Sequence, residues 1–89
     1  MAHIVKRKGH REAFDERKVY ASCYAACRGS HMEKQKAEKA CEAVCRDVRV
    51  WIKSKKEVTS TQLFSVVGKA LQKRSRDAAF MYTTHRDLC

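Results

Sequence analysis

From position 37 to position 52, apolar side chains return at helical spacing: Ala37, Ala40, Cys41, Val44, Cys45, Val48, Trp51 and Ile52. A stripe of that length is one face of an amphipathic helix, and it needs other apolar surfaces to cover it. The chain has 89 residues, which suits one small domain over 1–89 with a modest core. The covering surfaces must therefore be read from the flanking segments. Before the stripe, Val19, Cys23, Ala26 and Cys27 share a helix face behind Asp15, a good N-cap, and Gly29 suits the C′ position. Ser30 and Glu33 form a Ser-x-x-Glu capping box at the head of the long helix.

After the stripe, the segment 53–57 reads as a charged loop. Thr59 and Gln62 make a second capping box, opening a third helix with Leu63, Val66, Val67, Ala70 and Leu71 inward. Residues 73–76 are a basic break, and a fourth helix carries Ala78, Met81, Tyr82, His85 and Cys89 on one stripe. At the start, Ile4-Val5-Lys6-Arg7 and Arg11-Glu12-Ala13-Phe14 flank Lys8-Gly9-His10, where Gly9 can supply the positive φ of a tight turn. The expected fold is α+β: an N-terminal β-hairpin followed by a four-helix bundle.

Twenty Lys and Arg stand against ten Asp and Glu, a formal net charge of +10, so an anionic partner is expected. No apolar run is long enough to span a membrane, and no signal-like apolar region follows the start. The expected setting is the cytoplasm, with no membrane contact. There is no P-loop pattern, and His3, His10, His31 and His85 are scattered without a paired cysteine and acid. Binding, not catalysis, is the expected activity.

The five cysteines are spaced as Cys23-x3-Cys27, Cys41-x3-Cys45 and a last Cys89. An i, i+4 pair lies on one helix face, and buried free thiols behave as small apolar residues, so core packing is the first explanation. The twin Cx3C spacing also resembles that of small helical chaperones stapled by two disulfides, and it admits a four-cysteine zinc site. Mid-helix ligands and an odd count weigh against both.

The stretch Ile4-Val5-Lys6-Arg7-Lys8-Gly9-His10-Arg11-Glu12-Ala13-Phe14-Asp15-Glu16-Arg17-Lys18-Val19 resembles the opening of the ATP-cone domain. That family reads valine-x-Lys-Arg-Asp-Gly, a short strand ending in Phe-Asp, then a Lys-Leu or Lys-Ile pair. Ala26-Cys27-Arg28-Gly29, Val58-Thr59-Ser60 and Arg86-Asp87-Leu88 follow in a similar order. The resemblance implies a free-standing regulatory module that binds ATP or dATP, with or without Mg2+. It implies action through ribonucleotide reductase or another partner protein, or through a homo-oligomer. Lys8 departs from the pattern, standing where the family usually has Asp.

By family position, Lys6, Arg7, Glu12, Lys18 and Ser60 fall at ligand contacts, and Phe64 falls where a polar residue also occurs. The chemistry fits a purine triphosphate. Lys6, Arg7 and Lys18 can bind phosphate oxygens, and the amides around Thr59, Ser60 and Thr61 open a helix whose dipole favours an anion. Glu12 and the backbone of Phe14 and Asp15 can accept from the adenine amine, while Val5, Val19 and Phe64 can flank base or sugar. His85 or Arg86 can stand in for the family's C-terminal phosphate-contacting lysine. Other roles compete: Glu12 as a cross-strand partner of Lys6 or Arg7, Lys18 as a surface lysine, Thr59 as an ordinary cap, Phe64 as core. The charge also admits a different function, a nucleic-acid-binding module of a transcriptional regulator.

Overall fold

The computed structural model describes residues 2–5 and 11–84. Within them the order is β1 (His3–Val5), β2 (Arg11–Ala13), α1 (Glu16–Gly29), α2 (Lys34–Ile52), β3 (Glu57–Thr59), α3 (Ser60–Arg74) and α4 (Arg76–Thr84). The architecture is α+β, as expected: four helices with a small sheet at the N-terminal end.

The α2 stripe packs as its spacing dictates. Ala37, Ala40, Cys41, Val44, Cys45, Val48 and Ile52 are buried, and Trp51 is half-buried with Lys55 Nζ 5.3 Å from its ring centre. Val19, Cys23, Ala26 and Cys27 of α1 meet it, with Val67, Ala70 and Leu71 of α3 and Ala78 and Ala79 of α4. Small residues dominate this interior, so the helix axes can approach closely. Arg49 near the end of α2 makes a two-point pair with Glu16 at the start of α1, at 2.7 and 3.1 Å. The antiparallel arrangement of the two helices is what allows these ends to meet.

All four described cysteines are buried free thiols facing one another across α1 and α2. Cys27 and Cys41 share a hydrogen bond. Burial pushes every one of these thiols up, Cys41 to about 12, because a thiolate would be poorly solvated there. Among the described residues no cluster of His, Cys, Asp and Glu is arranged to hold a metal. The four thiols fill a core, which corrects both the disulfide-staple and the zinc alternatives. Cys89 lies outside the described residues.

The sheet adds an element that the sequence did not announce. Residues 57–59, expected as loop and cap, form a third strand parallel to β1, giving the order β2-β1-β3. Its only inward side chain is Val58, buried at 2%. With Ala2, Ile4 and Ile52 it forms a second, smaller core, and Phe14 and Leu63 pack against both cores. The ladder extends past the strands: the Phe14 N–H donates to the Ala2 carbonyl at 3.0 Å and the His3 N–H to the Lys56 carbonyl at 3.1 Å. The Lys8-Gly9-His10 turn lies outside the described residues.

Two helix ends differ from expectation. Gly29 is the last residue of α1, and the left-handed residue is His31, with φ 69°. The Cys27 carbonyl accepts from the Ser30 hydroxyl at 2.8 Å, so Ser30 closes α1 and does not open α2. The long helix starts at Lys34 behind Glu33, which makes no side-chain cap. The basic break shrinks to one residue, Ser75, whose N–H closes α3 on the Leu71 carbonyl while its Oγ accepts from the Ala78 N–H. No helix among the described residues is long and apolar enough to cross a membrane.

Candidate functional site

The hairpin end of the sheet is a row of three paired residues: Arg11 opens β2, Val5 closes β1, Thr59 closes β3. Side chains alternate along strands, so Ile4, Glu12 and Val58 in the next row share the face that the helices cover. Ile4 and Val58 are buried there. Glu12 lies on the outer strand, half-buried, with Oε2 3.6 Å from Lys18 Nζ. The Arg11 guanidinium reaches across β1 to Glu57 at 2.8 Å and ties the outer strands together.

Lys18 stands beside Glu12 because α1 begins directly after β2. Asp15, extended at φ −126°, accepts from the Arg17 N–H at 3.0 Å, and the Asp15 carbonyl accepts from the Lys18 N–H at 3.1 Å. This first turn returns the lysine over the sheet edge. The Arg17 side chain and then its backbone N–H hold the Asp15 carboxyl below the usual range. A capped helix start and a carboxylate–ammonium pair therefore lie within the span of three strand rows, about 7 Å.

The third helix contributes from the other edge. Thr59 caps it: the Gln62 N–H donates to Thr59 Oγ1 at 3.0 Å, and Gln62 Oε1 accepts from the Thr59 N–H at 2.9 Å. The Thr59 amide, expected as a free anion donor, is thus engaged within the capping box. Ser60, half-buried, is the first residue of α3 and keeps its place at the positive end of the helix.

These observations belong with one finding. A family model of the ATP cone domain matches residues 2–88.

The chain belongs to the ATP-cone family.

No curated protein matches the chain at a significant level. ATP cones are regulatory domains that bind adenine nucleotides.

Against the expected site of the cone, the structure places Val5, Glu12, Phe14, Asp15, Lys18, Thr59 and Ser60 on or beside the small sheet. Phe14 is half-buried, and its N–H donates to the Ala2 carbonyl. The Asp15 carbonyl is already used by Lys18. Val19 points into the helical core at 7% exposure and can act only as floor. Phe64 goes elsewhere: it stacks on Tyr82 at 4.9 Å and lines a groove between α3 and α4. Lys6, Arg7, His85 and Arg86 lie outside the described residues. Sequence reasoning missed the Arg11–Glu57 bridge, whose only signal would have been the third strand.

Proposed function

We propose that this ATP cone binds ATP or dATP along the edge of its sheet and passes the occupancy on to a partner. The observation that carries the reading is the Glu12–Lys18 pair at 3.6 Å, on the helix side of the sheet beside the opening of α1. A purine nucleotide offers each member a partner. The adenine amine donates to Glu12 or the Phe14 carbonyl, and phosphate oxygens accept from Lys18, Lys6 and Arg7. The Ser60 hydroxyl and the head of α3 favour the same anion from the far edge, with or without Mg2+. Val19 supplies an apolar floor and Asp15 keeps α1 capped, while Val5, in the row of Arg11 and Thr59, faces the other side of the sheet.

In this reading the chain's own groups hold and orient the nucleotide. Regulation then needs two states that the ligands distinguish, since a ligand with equal affinity for both shifts nothing. We place that difference in association with a partner protein, ribonucleotide reductase by family analogy, or in nucleotide-controlled self-association in the cytoplasm.

Calorimetric titration with ATP, dATP and GTP, with light scattering on the same samples, tests this. Saturable adenine-selective binding with a change of mass is the expected result. Lys18→Ala is expected to weaken nucleotide affinity roughly 10-fold, the size of a charge-assisted contact. It should leave the thermal midpoint nearly unchanged, because the Lys18 side chain is largely exposed. Binding that ignores the base would overturn the proposal.

A further inference from the structure

The α3–α4 end of the molecule carries a second set of groups that the sheet edge does not use. Between α3 and α4 lies an open groove of about 410 Å³, lined by Lys69, Gln72 and Arg76 with the ring of Phe80. Phe80 is 66% exposed and, unlike the similarly exposed Val50, stands beside cations in a groove. Across the helix junction lies a second hollow of about 260 Å³, lined by Lys36, Lys39 and Arg74 over Met32 and Ala40. Arg74 follows Val67, Ala70 and Leu71 on the inward side of α3, whereas Lys69 and Gln72 line the first groove, so α3 stands between the two hollows.

Among the described residues, neither hollow has an acid in its lining. The five cations are exposed, and none makes an ion pair with a described residue. Folding does not account for all of them. Arg74 suits the last turn of α3, where the helix dipole favours a cation. Arg76 is the first residue of α4, and Lys36 lies in the first turn of α2, which has no acid of its own. At those positive helix ends a cation is disfavoured.

We infer that the α3–α4 groove binds single-stranded nucleic acid, with phosphates on Lys69 and Arg76 and a base stacked on Phe80. Cationic grooves interleaved with an exposed aromatic suit a strand whose bases are unpaired, since a duplex hides the base faces that the ring would cover. Gln72, Ser65 and Thr83 in the same groove offer donors and acceptors to a base edge. Arginine and lysine supply the salt-sensitive phosphate contacts. The net charge of +10 favours any polyanion, whereas Phe80 selects for bases.

The test is fluorescence anisotropy with a labelled oligothymidine, a duplex of the same length, and heparin as a polyanion without bases, over a range of salt. The strand is expected to bind more tightly than the duplex. Phe80→Ala should cost at least about 5-fold on the strand, the low end for one stacked base, and leave heparin binding unchanged. Phe80→Tyr should restore it. Arg76→Ala and Lys69→Ala should each reduce the salt slope by about 0.7, the share of one phosphate on a single strand. Equal binding of strand and heparin with no effect of Phe80→Ala overturns the inference, as does the absence of strand binding. Competition by ATP that disappears in Lys18→Ala would place the strand at the sheet edge and overturn it too. Adenine-selective calorimetry is read separately, so either conclusion can fail alone. Because Phe80 is exposed, its variants are expected to keep the parent thermal midpoint, which verifies folding.

Discussion

The helical core and the sheet layer are built by opposite means. The core draws on all four helices, with Cys23, Cys27, Cys41, Val44, Val48, Leu71 and Ala78 essentially closed to solvent. The sheet has three strands of three residues each, and its own apolar cluster holds only Ala2, Ile4, Ile52 and Val58. One region is fixed by area removed from water, the other by ladder hydrogen bonds and by Phe14 and Leu63 reaching into both clusters. The groups expected to meet a nucleotide sit on the second. The comparison teaches that the groups proposed to meet a nucleotide lie at the least-buried layer, where occupancy can alter local order without opening the core.

The largest effect that tests this division is Leu71→Ala. Truncating a fully closed core leucine should cost about 2–5 kcal/mol in denaturant unfolding while leaving nucleotide affinity of the folded fraction near parent. Val58→Ala should cost less, about 1–3 kcal/mol, yet weaken adenine-nucleotide binding, because Val58 holds β3 and so positions Thr59 and Ser60. Equal loss of affinity in both variants would mean that the two layers are not separable.

The thiols offer a milder test confined to the core. They titrate near 9.0 when unperturbed, and burial raises them in the folded state, Cys41 to about 12. Below about pH 9 both states are protonated and the contribution is complete. As pH rises further the unfolded chain releases protons that the folded chain retains, so stability falls. Thermal midpoints measured through the alkaline range should show this decline, flatter in Cys41→Ala. The smallest effect lies at the α1–α2 corner: His31→Gly should stabilise by about 0.5–1 kcal/mol, relieving a left-handed residue at some entropic cost.

Much of the helical layer was legible. The α2 stripe, the α1 quartet and the Thr59–Gln62 box all follow from periodicity and short-range caps, which act over three or four residues. What was hidden is non-local. A strand of three residues with one inward valine has too little pattern to register, and its partner β1 lies at the far end of the chain. The corner was misread for a related reason: Gly29 suited a left-handed position, but the chain turns two residues later, at His31. The site divides in the same way. The Glu12–Lys18 proximity follows from a strand running directly into a helix, whereas the turning of Phe64 toward Tyr82 depends on where α4 returns.

Ser75 has a mechanical consequence. One residue terminates α3 with its amide and starts α4 with its hydroxyl, leaving no slack between the two rods. Their splay is therefore held at Ser75 and by the Phe64–Tyr82 stack that spans the same two helices, so reshaping the furrow beside Phe80 asks those fastenings to yield.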